Sequence, residues 1–222
     1  EILDKDGLFI LEHADLYSII KNNIFDTICH EHLCYFSSSV IINMMEKNGL
    51  RVFKHEFNDI NGGSSKYFIC HQNSKYKLSK TVKSIIEKEK KLGIDKMKTL
   101  KKFYYKVLKE NKKLINLIQK IKKKKQSIHG YGASTKGNIL LQYCKIGSKQ
   151  IDYIAERNPL KYNLYTPGTK IKIISENKSR FLNPNYYLVL PWHFKKEILS
   201  REKKFRKKGV KFIFPLPKVE II

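Results

Sequence analysis

The chain has 222 residues, 41% of them hydrophobic, which is enough for a substantial core in one large or two small domains. Its formal charge is +25, yet its longest apolar runs, such as Leu8 to Leu11 and Val40 to Ile42, fall far short of the roughly 18 residues a membrane helix requires. Cys29, Cys34, Cys70 and Cys144 form no CxxC pair, and the N-terminus does not read as a secretory leader, so a cytoplasmic chain with reduced thiols and no membrane partner is expected.

The excess charge is mostly lysine, concentrated in Lys75 to Lys125 and Lys195 to Lys211, and it travels with abundant Ile and Asn. That mixture is what a genome poor in G and C encodes, and it reads as solvated helix faces. No nucleic-acid partner is expected, because no motif interleaves aromatic side chains with the basic runs for that purpose.

In chain order, Gly7 to Glu12 is a short apolar run behind an Asp-Gly turn and reads as a buried parallel strand. Asp15 offers an N-cap for a helix to about Lys21. Ser37 to Ser39 cap a second helix, with Val40, Ile41, Met44 and Met45 on one face, and Asn48-Gly49 ends it. Leu50 to Glu56 and Ser65 to Cys70 alternate around a turn at Asn58 to Gly63, which predicts a hairpin. Lys75 to Lys125 is helical and polar, broken at Gly93, with packing stripes at Val82, Ile85 and Ile86, at Leu100 to Leu108, and at Leu114 to Ile121. Strands at Ser127 to Tyr131, Ile151 to Ala155, Tyr186 to Leu190 and Lys211 to Phe214 then alternate with helices, one at about Gly137 to Tyr143 and a basic one at about Phe194 to Lys208. Such alternation implies a parallel sheet.

Two segments carry chemistry on their own residues. His30, Glu31 and His32 lie between apolar flanks in FDTICHEHLCYF, Phe25 to Phe36. Imidazole and carboxylate side by side are the parts of a general base near neutral pH, or else a polar loop that satisfies backbone groups. The turn from Gly130 through Gly132, Ala133, Ser134, Thr135 and Lys136 to Gly137 departs from GxGxxG, since Thr135 stands where the third glycine would be, which argues against a nicotinamide cofactor. Its small residues and its helix N-terminus suit a phosphate, or equally a tight strand-to-helix packing. Glu156 ends the next strand, where such folds set an acid against a ribose hydroxyl. A zinc site of Cys29, His30, His32 and Cys34 is a competing reading, but the spacing is too compressed for a usual tetrahedral set, and no metal is expected.

The Phe25 to Phe36 stretch resembles the Glu-His motif of the sugar C-methyltransferases, which use S-adenosylmethionine (SAM) to methylate nucleotide-linked keto-deoxysugars. INGGSSKYF at Ile60 to Phe68, HGYGASTKGNILLQY at His129 to Tyr143, IAERNPLKYNLYTPGTKI at Ile154 to Ile171 and the closing PLPKVEII resemble the same family in the same order. The resemblance implies an α/β fold in three parts. Residues 1–74 would be the C-terminal part of a class I methyltransferase (Rossmann-like) domain, 75–125 a helical connector, and 126–222 a second Rossmann-like, substrate-binding domain. It further implies that the SAM-binding glycine loop and the family's cysteine-rich zinc motif lie upstream of Glu1, so that the cofactor is bound mainly outside this chain and the chain alone is inactive.

By carry-over, His32 is the base that removes a proton next to the ketone, commonly at C3 of a 4-keto sugar, and Glu31 orients it or binds a sugar hydroxyl. The resulting enolate then takes the methyl group from SAM. Asn61, Gly62, Gly63 and Ser64 match the turn near the sugar, although from sequence alone Gly62-Gly63 is simply hairpin chemistry. Gly130, Gly132, Ser134, Thr135, Lys136, Asn138 and Glu156 line the side of the nucleotide-diphosphate sugar, whose charge the basic chain would welcome. Many relatives carry tyrosine where this chain has Cys29, which leaves the sugar open, as are its nucleotide and the oligomeric state. The alternative is a fragment that binds nucleotide sugars without chemistry.

Overall fold

The computed structural model describes residues 2–222, which divide into two compact units. The first takes the chain up to Phe25 and then His30–Tyr105; the second takes Asp26–Cys29 and Lys106–Ile222. Among the described residues, no helix is long and apolar enough to cross a membrane.

In the first unit, β1 (Phe9–His13), β2 (Leu50–Asn58) and β3 (Ser64–His71) form an antiparallel sheet in the order β1-β3-β2. Helices α1 (Leu16–Asn22), α2 (Ser38–Lys47) and α3 (Lys80–Leu92) complete it, with the start of α4 (Met97–Lys123). The core gathers Ile41, Ile42, Val52, Tyr67, Ile69 and Val82. The predicted hairpin is present, with a register shift between Val52 and Lys54. Asp15 caps α1 by accepting from the Ser18 amide, and Gly93 ends α3 in the left-handed region at φ 67°.

Two expectations are corrected here. The run around Phe9 is neither parallel nor buried: β1 pairs antiparallel with β3 at the sheet edge, with Phe9 40% and Ile10 51% exposed. An apolar run without alternation does not by itself distinguish a central strand from an edge. The inward face of α2 is also rotated from the predicted one, burying Ile41 and Ile42 and leaving Val40 and Met44 exposed. The cause is Ser38, fully buried, whose hydroxyl pairs with the Tyr67 hydroxyl at 2.9 Å and so turns positions 38, 41, 42 and 45 inward.

One buried acid organises the start of α2. Glu89 of α3, 1% exposed, accepts from the Ser38 amide at 2.5 Å and the Ser39 amide at 2.9 Å, and from the Ser39 hydroxyl. These amides belong to the helix end that has no intrahelical acceptors. The carboxylate also suits the positive end of the helix dipole.

In the second unit, β4 (Ile128–Tyr131), β5 (Tyr153–Glu156), β6 (Ile173–Ser175), β7 (Tyr186–Val189), β8 (Lys211–Phe214) and β9 (Glu220–Ile221) form one sheet in the order β6-β5-β4-β7-β8-β9. All neighbours are parallel except β9, which is antiparallel to β8. Helices α5 (Thr135–Tyr143), α6 (Glu176–Phe181), α7 (Lys195–Arg201) and α8 (Lys203–Lys207) intervene. Val107, Leu114, Ile118 and Ile121 of α4 are buried as the stripe predicts, whereas Leu100, Tyr104 and Leu108 are exposed. The predicted basic helix is broken at Glu202, whose buried carboxylate is drawn away to Arg180 and Tyr131. Strands β6 and β9, three and two residues long, are too short to show a period of their own.

His129 on β4 is 3% exposed and shares a 2.8 Å hydrogen bond through Nδ1 with the Ser179 hydroxyl. Burial holds its pKa down at about 4, partly offset by Asp152. A histidine depressed in the folded state contributes stability that is complete above its unfolded pKa, near 6.5, and is lost as the pH falls toward 4.

Two outcomes are expected. Glu89→Ala destabilises the first unit by about 1–3 kcal/mol through the two abandoned amides, measured by urea denaturation; an unchanged midpoint disproves that role. The second unit weakens between pH 6.5 and 4, and a His129→Phe variant, compared with wild type across the same range, shows a shallower acid loss in thermal melts.

Candidate functional site

The second unit places its chemistry at the carboxyl ends of its parallel strands. Strand β4 is flanked by β5 on one side and β7 on the other, so the chain leaves it in opposite directions, and a crevice opens outside the strand ends. Two glycines shape it. Gly132 sits at φ 82°, and a Cβ there would lie 2.9 Å from the Pro191 ring. Gly137 lets α5 approach the sheet, since a Cβ would meet the Leu190 Cβ at 2.6 Å. The close helix-to-strand contact is thus made by Gly137, beyond the position where the usual fingerprint has its third glycine.

The crevice holds a cavity of about 550 Å³ lined by Tyr131, Pro191, Phe194 and Ile198 among apolar groups, with Gly132 and Ser134 from the loop. Its charged lining is mixed: Glu156, Glu176 and Glu197 face Arg157, Lys161 and Arg201. The size and balance of apolar wall and few polar groups suit a small organic ligand.

The loop's own hydrogen bonds are largely internal. Glu156 Oε2 accepts from the Ala133 amide at 2.6 Å, while Oε1 accepts from the Arg157 and Asn158 amides. Lys161 Nζ donates to the Ala133 carbonyl at 2.7 Å, the Gly132 amide donates to Ala155, and Ser134 Oγ caps α5 by accepting from Gly137. Glu156 therefore braces the glycine turn as well as lining the cavity.

An ion-pair network backs one wall. Glu202, 1% exposed, accepts from Arg180 at 2.5 Å and from the Tyr131 hydroxyl at 2.7 Å; Glu176 accepts from Arg180 at 2.9 Å and Arg201 at 2.7 Å. Arg201 also hydrogen-bonds the Tyr131 hydroxyl and lies over its ring, 5.4 Å from the centroid. Burial, with the neighbouring carboxylates, pushes the Tyr131 phenol far above its ordinary pKa, so it remains a neutral donor.

A second polar cluster of the same unit surrounds Asp26. Trp192 Nε1 donates to Asp26 Oδ2 at 2.7 Å across 166 positions of sequence, while Asp26 Oδ1 and His193 Nδ1 are buried without a hydrogen-bond partner. Burial raises the Asp26 pKa, against the pull of Lys136 and Trp192. Lys136, half-buried on α5, feels Asp26 and Cys29, and burial lowers its pKa.

Of the residues singled out from sequence, Gly132, Ser134 and Glu156 line the cavity together. Gly130 is buried within β4, and Asn138 Oδ1 is buried without a partner. Thr135 is exposed at the start of α5, and Lys136 belongs to the Asp26 cluster. In the first unit, His30, Glu31 and His32 are exposed in the loop before α2, with His32 edge-on to Tyr35 at 6.4 Å. The Asn61 to Ser64 turn packs on α1: the Asn22 side chain reaches the Gly62 carbonyl, and a Cβ on Gly63 would lie 2.9 Å from Ser18 Cβ. Among the described residues, no three His, Cys, Asp or Glu side chains gather as a metal site. Sequence reasoning missed Tyr131, Glu176, Arg201, Asp26 and Trp192. Arg201 lies on α7, in the basic run read only as a solvated helix face, and Glu176 lies on α6, a stretch that carried no expectation.

Comparison with known proteins places this geometry in a family. Residues 59–217 match the family model described as C-methyltransferase C-terminal domain. The chain is also 33% identical over 221 residues to a C-methyltransferase, NovU, of Streptomyces niveus. That alignment covers 100% of this chain and 53% of the relative, so the chain spans about half the length of the curated protein it matches. With the model covering well over half of its residues, the chain belongs to the C-methyltransferase C-terminal domain family.

Proposed function

We propose that this chain serves C-methyl transfer from SAM to a nucleotide-linked keto-deoxysugar, supplying the base and the substrate unit. The observation that carries the reading is the family match over residues 59–217 together with a cavity at the carboxyl edge of a parallel sheet. SAM supplies an electrophilic methyl group. In this reading the donor is held mainly by residues outside this chain, which spans about half the length of the curated relative.

The chain's own part is on the acceptor. A nucleoside fits the apolar walls of Tyr131, Pro191, Phe194 and Ile198, with Glu156 and Glu176 as acceptors for hydroxyls and Arg157, Lys161 and Arg201 for phosphate charge. His32, exposed in the loop before α2, takes the proton from the carbon beside the ketone, and Glu31 orients the imidazole or binds a hydroxyl. The cytoplasm, where nucleotide sugars are made, is the expected compartment.

In the full-length protein, His32→Ala and His32→Asn are expected to lower methyl transfer by about 10²–10⁴-fold while leaving SAM affinity intact, measured by product mass and calorimetry. Near-normal turnover of either variant refutes the assignment. The 222-residue chain alone is expected to transfer no methyl group yet to melt at a higher temperature with a nucleotide-diphosphate sugar. A chain that binds the sugar, in a full-length protein that never methylates it, favours the binding-only alternative.

A further inference from the structure

Of the charged side chains that line the cavity of the second unit, most are held by the protein itself. Glu156 braces the glycine turn, Lys161 donates to the Ala133 carbonyl, and Glu176 and Arg201 are joined at 2.7 Å. The side chains of Arg157 and Glu197, both exposed, form no hydrogen bond or ion pair among the described residues. These two stand on opposite sides of the crevice. Arg157 directly follows β5, whereas Glu197 lies on α7, beyond the end of β7. Strand β4 separates β5 from β7 in the sheet, which sets the two sides roughly 10 Å apart.

The α7 side also carries an aromatic ring. Phe194, Glu197, Ile198 and Arg201 recur at helical spacing and all line the cavity, so they share one face. Phe194 is 52% exposed, and its ring is tilted against that of His193 with centroids 4.4 Å apart. An exposed ring steadied by a neighbour, one turn before an unpaired carboxylate, is a platform for a flat ligand whose edge carries N–H donors.

We propose that this cavity takes a guanosine diphosphate group, with the base stacked on Phe194, its edge read by Glu197, and the diphosphate on the side of Arg157 and Lys161. The inference rests on the nucleotide-sugar reading above and adds the identity of the base. An ionised carboxylate only accepts, and its two oxygens are best matched by two parallel donors. Guanine presents its N1–H and its N2 amino group side by side. Adenine and cytosine pair a donor with an acceptor at that edge, and uracil and thymine set one N–H between two carbonyls. Each of these brings lone pairs against the carboxylate. Lys161 gives one N–H to Ala133 and keeps two for phosphate.

The test is calorimetry of the full-length protein with GDP, inosine diphosphate, UDP, dTDP, ADP and CDP. GDP is expected to bind about 10–100-fold more tightly than UDP, dTDP, ADP or CDP. Inosine diphosphate, which lacks the N2 amino group, binds more weakly than GDP in wild type and equally in Glu197→Gln, where the preference is lost at constant side-chain size. Phe194→Ala weakens all six by about 10–100-fold, and Arg157→Gln weakens GDP without weakening guanosine. Equal binding of GDP and inosine diphosphate by wild type overturns the proposal. So does an equal loss of every diphosphate in Glu197→Gln, which would set the carboxylate on the ribose, and so does a wild type that binds none of the six. A protein that methylates a keto sugar on another nucleotide, with no preference for GDP, refutes the base assignment and leaves the methyl-transfer reading intact. One that prefers GDP through Glu197 yet methylates no nucleotide sugar does the reverse.

Discussion

The approach of α5 to the end of β7, possible because Gly137 presents no side chain to Leu190, is the constraint on which the second unit's site depends. With the helix seated there, the Gly132 turn lies against Pro191, and Lys136 is half-buried on the first turn of α5. A side chain at Gly137 would lift the helix, and the cavity wall would move with it. The parallel order around β4 supplies the crevice, but this contact sets its width.

Much of the fold was legible because local signals agreed with tertiary need. Asp15, Ser37 and Gly93 act as the caps and stop that their residue types announce, and the hairpin follows from alternation on both sides of a glycine-containing turn. The parallel sheet followed from short apolar strands separated by helices. The failures have one origin, which is that burial is decided by partners distant in sequence. Phe9 and Ile10 are apolar yet lie on an edge, and α2 turns toward Tyr67 through a serine that hydropathy alone would place outside.

The lining of the candidate cavity was legible in part. Glycines and an acid at a strand end identify a crevice by type and spacing, so Gly132, Ser134 and Glu156 were visible. Asp26 was not, because its meaning lies in Trp192, 166 positions away. Arg201 and Glu202 were hidden in a basic run whose composition suggested only solvent, although Glu202 is among the most buried acids of the chain. In a lysine-rich protein, a carboxylate inside a basic run is the informative residue, since its neighbours gain nothing from burial and it gains two guanidinium partners.

Glu156 already occupies the amide that a phosphate would seek on entering the glycine turn, and it holds two further amides of its own strand end. The fold thus braces its glycine turn from within, so the shape of the turn does not wait on a ligand. Any group that enters the turn meets amides already engaged by that side chain.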